Sequence, residues 1–224
     1  MEPQYWHQRW TEGRTGWHRE EFNPHLEAHW PRLNVPPQAR VFVPLCGKSR
    51  DLLWLAGEGH RVVGVELSEI AARAFFAEAG LSPQVTELGG GFTRYAVDEI
   101  EILCGDFFGL TPERLGGIEA VYDRASLIAL PPPMRPAYAT QMTRLAPAGA
   151  LVLLVTLEYE QDEMSGPPFS VEPQEVRALY EPAFEVVPLA AADVLDENAH
   201  LRERGVTRLL EPVYALRRLS DGTG

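Results

Sequence analysis

VFVPLCGKSRDLLWLAGEGHRVVGVELSE, Val41 to Glu69, decides the fold. A Val-rich strand runs into a tight loop around Gly47, a helix follows from Asp51 to Glu58, and a second strand, His60 to Glu66, ends on a carboxylate. A carboxylate at the carboxyl end of the second strand of a doubly wound sheet can accept hydrogen bonds from both hydroxyls of a ribose. Glu66 stands nineteen residues after Gly47, the spacing such a site requires. The loop departs from a dinucleotide fingerprint, because Gly47 is its one glycine and Pro44, Leu45 and Cys46 fill the rest. A pyrophosphate would not fit closely here, whereas a nucleoside cofactor without phosphates would. S-adenosyl-L-methionine is the expected cofactor. An NAD-dependent oxidoreductase shares the acid but needs the missing glycines.

The first strand spans Arg40 to Pro44, and further strands are expected at Glu99 to Cys104, Ile118 to Asp123 and Ala150 to Leu157, with helices at Ser68 to Gly80 and Met134 to Leu145. Strands alternating with helices build a parallel sheet. The apolar run ALVLLVTL suits a central strand. Gly89 to Val97 reads as a short hairpin ahead of the third core strand. A polar segment, Glu158 to Ser170, reads as a surface loop that could serve as a lid. A helix near Glu172 to Tyr180 and two late strands, Ala183 to Leu189 and Val206 to Leu216, complete a seven-stranded sheet. The expected architecture is therefore α/β, doubly wound and mostly parallel. Residues 1–224 form one domain, with 1–38 as an N-terminal helical and loop cover and 39–224 as a Rossmann-like core.

Composition narrows the function. With 224 residues and 45% hydrophobic content, the chain can bury one good-sized core. A net charge of −12, from 20 Lys and Arg against 32 Asp and Glu, opposes a phosphate backbone, so no nucleic-acid partner is expected. No run approaches a bilayer span, and MEPQYWHQRW resembles neither a signal nor a transit peptide. A cytoplasmic monomer without a membrane partner is the expectation, with Cys46 and Cys104 as thiols. His25 and His29 have ligand spacing on one helix face, yet no Cys pair or H-E-x-x-H accompanies them, so no metal is expected. Gly47-Lys48-Ser49 is not a P-loop, because Phe42 stands where that motif needs glycine.

Two further clusters fall at the sheet edge that carries Glu66. After the third core strand, Asp106 can accept the exocyclic amine of an adenine and Phe107 can cover a ring face. The alternative for this pair is an Asx turn and a core Phe. After the fourth, Arg124 can neutralise a cofactor carboxylate or stabilise a thiolate, unless it pairs with Asp123 or another surface acid. Trp6, Trp10, Trp17 and Trp30, four of the five tryptophans, crowd the first thirty residues. Trp6 and Trp10, one helical turn apart, could fold over the cofactor, with Trp17 then facing a flat aromatic substrate.

WHQRW-x-x-G-x-TGWH (Trp6 to His18), VPLCGKS (Val43 to Ser49), GHRVVGVELSE (Gly59 to Glu69), GDFF (Gly105 to Phe108) and YDRASL (Tyr122 to Leu127) together resemble the bacterial thiopurine S-methyltransferase family. The resemblance covers nearly the whole chain and is strongest through about Leu157. It implies a class I methyltransferase fold and methyl transfer from S-adenosylmethionine to the sulfur of small heteroaromatic thiols, leaving S-adenosylhomocysteine. Methylation of selenium or tellurium oxyanions is a further expectation. It also implies that Trp10, Leu45, Glu66 and Arg124 contact the cofactor beside Gly47, with Asp106 and Phe107 near adenine and Trp17 facing the acceptor. A late basic residue at the acceptor would be His200 or Arg202. No dedicated base is expected, since a sulfonium methyl is already activated. The competing readings are a methyltransferase for a halide, thiocyanate or hydroxyl, and a nucleoside-binding sensor without catalysis.

Overall fold

The computed structural model describes residues 3–220 and divides into two compact units, one up to Tyr122 and one from Asp123. The first begins with α1 (Pro3–Thr11) and α2 (Pro24–His29), then alternates β1 (Arg40–Val43), α3 (Asp51–Gly57), β2 (Arg61–Glu66) and α4 (Glu69–Glu78). The hairpin β3 (Gln84–Gly89) and β4 (Phe92–Val97) leads to β5 (Ile100–Cys104), the short helix α5 (Pro112–Leu115) and β6 (Ala120–Arg124), which runs on into the second unit. The strand order here is β3-β4-β5-β2-β1-β6. β1 pairs in parallel with β2 and β6, and β2 with β5, while β4 joins β5 antiparallel.

Val41, Phe42, Val62, Val63 and Val65 are buried on both sheet faces, as continuous apolar runs in a parallel sheet must be. Gly64 is obligatory at one point. A Cβ there would stand 2.6 Å from Cys46 Sγ, so β2 passes close beneath the loop after β1 only because it lacks a side chain. Glu101, buried on β5, is bonded by the guanidinium groups of Arg40 and Arg94, which satisfies a carboxylate taken out of water.

The second unit carries α6 (Arg135–Leu145), β7 (Leu151–Val155), α7 (Pro173–Tyr180), β8 (Phe184–Asp193), α8 (Ala199–Arg202) and β9 (Leu210–Arg218). Its strands run β7-β9-β8 with both pairings antiparallel. All seven expected strands are present, and the β3–β4 hairpin adds two more beside β5. The sheet is mixed, with a parallel centre, and the fold is α/β and Rossmann-like.

Residues 158–170 are anchored throughout. The Tyr159 hydroxyl donates to Pro168 O at 2.6 Å, Gln161 Nε2 donates to Met164 O at 2.6 Å, and Phe169 N–H donates to Ile128 O at 2.7 Å. Tyr159 and Met164 join Val194, Leu201, Val206 and Leu209 in a satellite core. The segment read as a surface loop that could serve as a lid is thus bonded and packed within this unit. Among the described residues, no helix is long and apolar enough to cross a membrane.

Candidate cofactor and acceptor site

Register places the carboxyl ends of β2 and β5 side by side, Glu66 opposite Cys104, and the turns that follow are stitched to that edge. Gly105 N–H donates to Glu66 O at 2.9 Å, and Cys46 N–H donates to Val65 O at 3.0 Å. The carboxylate of Glu66 is buried and held by backbone donors, among them Gly47 N–H on Oε2 at 2.9 Å and Ser68 N–H on Oε1 at 2.7 Å. Burial pushes its pKa up to about 7, although those N–H bonds pull the other way. An ionised carboxylate offers about four lone-pair sites. With Leu67 N–H also turned toward this carboxylate, an ionised Glu66 keeps a lone pair for a ribose hydroxyl, so the residues present fit the nucleoside half of S-adenosylmethionine.

The loop after β1 is bent by two left-handed residues, Leu45 at φ 44° and Gly47 at φ 55°. Leucine in that region is strained, and such strain collects where a loop is shaped for a ligand. Against this loop lies Trp10, whose Cζ2 stands 3.3 Å from where a Cβ on Gly47 would be. The ring of Trp17 makes perpendicular contacts with Trp6 and Trp10, at centroid distances of 5.6 and 5.8 Å. Trp10 thus reaches the loop after β1, and Trp17, packed on Trp6 and Trp10, keeps part of its surface open.

Asp106 and Phe107 do less at the edge than their sequence position suggests. The Asp106 carboxylate accepts Phe108 N–H at 3.0 Å in an Asx turn and remains exposed, so a second oxygen is available. The Phe107 ring is buried and stacked on Phe42, 6.5 Å between centroids and 4° between planes, because the short 3-10 turn from Phe107 to Gly109 directs it into the core. The exposed aromatic of this turn is Phe108. Ser68 occupies the N-cap of α4 without capping it through its hydroxyl; its N–H serves Glu66 instead.

In the second unit, Asp123 is buried and accepts the Tyr138 hydroxyl at 2.8 Å, and burial pushes its pKa up to about 6. It makes no ion pair with Arg124, and no hydrogen bond or ion pair engages the side chain of the half-buried Arg124 among the described residues. Ala125, next in the chain, is left-handed at φ 64°. His200 and Arg202 both lie on α8, exposed, and Arg202 is bonded to Asp196.

The sequence reading passed over one anchor of the N-terminal segment. Asn23 caps α2 through its side chain, while its N–H donates to Asp51 Oδ1 at 2.9 Å and the Tyr122 hydroxyl to Asp51 Oδ2 at 3.0 Å. The Asn23-Pro24 cap signal was legible; its tie to α3 was not.

A family model described as Thiopurine S-methyltransferase (TPMT) matches residues 1–219. Among relatives, the thiopurine S-methyltransferase of Methylococcus capsulatus is 50% identical over 217 residues, covering 97% of this chain and 98% of the relative. That of Pseudomonas fluorescens is 52% identical over 217 residues, covering 97% and 99%. Among solved structures, a SAM-dependent methyltransferase from Anabaena variabilis aligns with a TM-score of 0.67 at 13% identity, covering 96% of this chain and 94% of that one. The Burkholderia thailandensis 1,6-didemethyltoxoflavin-N1-methyltransferase, with S-adenosylhomocysteine bound, aligns at 0.63 and 17% identity, covering 97% and 87%.

Proposed function

This chain belongs to the thiopurine S-methyltransferase family, and from that premise we propose how its own residues serve the transfer of a methyl group from S-adenosylmethionine to the sulfur of a small heteroaromatic thiol. The observation that carries the reading is the buried Glu66 carboxylate, oriented by Gly47 and Ser68 N–H groups with accepting capacity to spare.

In this reading, Glu66 holds the ribose, and Leu45 and Gly47 shape the loop on which the nucleoside rests. The free oxygen of Asp106 accepts the adenine amine, over the surface backed by Phe107. Trp10 covers the loop and excludes water. Arg124, in no ion pair among the described residues, neutralises the cofactor carboxylate. Trp17 offers a partly open aromatic surface to the acceptor.

When bound, the cofactor supplies an electrophilic methyl on a positively charged sulfur. The acceptor thiolate forms the new C–S bond as the sulfonium C–S bond breaks, leaving two neutral thioethers. No proton moves in that step, so the protein needs to align the partners and keep water out rather than provide a base. The whole chain acting as one methyltransferase domain, monomeric and cytoplasmic, belongs to the same proposal.

Calorimetric titration of S-adenosylmethionine and S-adenosylhomocysteine, followed by turnover of 6-mercaptopurine, selenite and tellurite with the same preparation, tests it. Binding of both nucleosides with methylation of the thiol is the expected result, and the two oxyanions rank the wider acceptor range. Binding without thiol turnover would assign another acceptor, or a sensor.

A further inference from the structure

Arg9 places its charge among aromatic rings, close enough to Glu12 to act on it but in no ion pair with it. Its Cζ lies 5.1 Å from the ring centroid of Trp17 and 5.6 Å from that of Tyr5. Two of its N–H groups hold it there, Nε donating to Arg14 O at 3.2 Å and Nη1 to Tyr5 Oη at 3.3 Å. Elsewhere in this unit, Arg14, Arg40, Lys48, Arg73 and Arg94 each pair with a carboxylate. Arg9 forms no such pair among the described residues and is half-buried, so donors of its guanidinium remain to be used.

This arrangement has a consequence for what can rest on Trp17. The face of an indole is electron-rich and attracts cations, so an anion meets it unfavourably. A guanidinium fixed over the same ring offsets that repulsion and offers N–H groups to the anion. The surface then accepts a flat ring that carries negative charge.

We propose that Arg9 is a specificity-determining residue that makes the acceptor surface at Trp17 select the thiolate form of a planar aromatic thiol over neutral rings of the same shape. The inference rests on the assignment of Trp17 to the acceptor. Trp17 touches Trp10, and Trp10 lies on Gly47, so a ring bound there is continuous with the cofactor loop. The charge that Arg9 meets is the one the reaction consumes, because the methylated product is neutral. The same contact would therefore favour acceptor over product.

The test is calorimetric binding of 4-nitrobenzenethiol, ionised at neutral pH, and of its neutral S-methyl thioether, each to the full chain saturated with S-adenosylhomocysteine. Wild type should hold the thiolate tighter by between about threefold and thirtyfold. Arg9→Met should bring the ratio towards one by weakening the thiolate alone, and Arg9→Lys should restore most of it. Trp17→Leu should weaken both ligands. A wild-type ratio near one, or an Arg9→Met variant that weakens both ligands equally or neither, overturns the proposal. Should Arg9→Met prove unstable on thermal denaturation, Arg9→Gln carries the same comparison. If Trp17→Leu changes neither ligand, the acceptor assignment itself falls, an outcome distinct from failure of the Arg9 proposal.

Discussion

The indole of Trp10 closes on Gly47 to within 3.3 Å of the position a Cβ would occupy, so a helix at the start of the chain lies on the loop that donates to Glu66. Gly47 also sits at φ 55°, where an L side chain is strained. Gly47→Ala should lower stability by about 1–2 kcal/mol and weaken S-adenosylmethionine by about tenfold. Adding Trp10→Leu should recover the steric part but leave the backbone strain. Thermal denaturation and calorimetry read both effects, and an alanine variant that binds as wild type would detach this loop from the site.

The proposed role of Glu66 at the ribose predicts that cofactor binding is linked to protons. Its folded pKa of about 7 lies above the ordinary 4.5, so its contribution to stability without ligand is full below about 4.5 and is lost as pH rises through about 7. Ribose hydroxyls donate to the ionised form, which binding therefore favours. S-adenosylmethionine should bind more tightly as pH rises through about 7 and release a proton near pH 6.5 to 7. Titration in two buffers of different ionisation enthalpy measures the proton directly. A pH-independent affinity without proton release would show that Glu66 does not meet the ribose as an anion.

Gly105 precedes Asp106 under the ring of Phe92, where a Cβ would stand 2.6 Å from Cε1, and Arg114 backs that ring at 4.6 Å from its centroid. The ring has little room to retreat. Gly105→Ala should cost about 1–3 kcal/mol through overpacking, with loss of cofactor affinity because Asp106 shifts with its turn. Phe92→Leu in the same chain should restore part of both, as a double-mutant cycle would show. Additive effects of the two substitutions would contradict the contact.

Arg124→Ala should weaken S-adenosylmethionine by between about tenfold and a hundredfold, the range for losing a charge-assisted hydrogen bond. Stability should change little, since no ion pair among the described residues is lost. Arg124→Lys should keep part of the affinity as a point charge without the planar fork. Unaltered binding and turnover in Arg124→Ala would remove Arg124 from the site.

Most of the scaffold could be read along the chain, because its signals are local. Strand and helix periods, the acid ending β2 and the glycine loop ahead of α3 placed Glu66 opposite Gly47, and a bond of 2.9 Å joins them. The hairpin was legible from its glycines, though not the whole of β3, whose residues are exposed and carry no burial pattern. Two adjacent aromatics could not be told apart in the same way. Phe107 and Phe108 have equal claims to the sheet edge by sequence, and only the 3-10 turn sends the first to Phe42 and the second to solvent.

Alone, the sequence determined the α/β alternation, the family and the placing of an acid, Glu66, at the end of β2, each encoded by residues near one another or by motifs in order. Tertiary structure decided which donors hold Glu66, that Asp123 takes Tyr138 and leaves Arg124 uncommitted, and that Arg9 stands over Trp17. The physical reason is distance along the chain. A propensity or a cap is settled within a few residues, whereas desolvation and the partner of a charge depend on segments that only folding brings together.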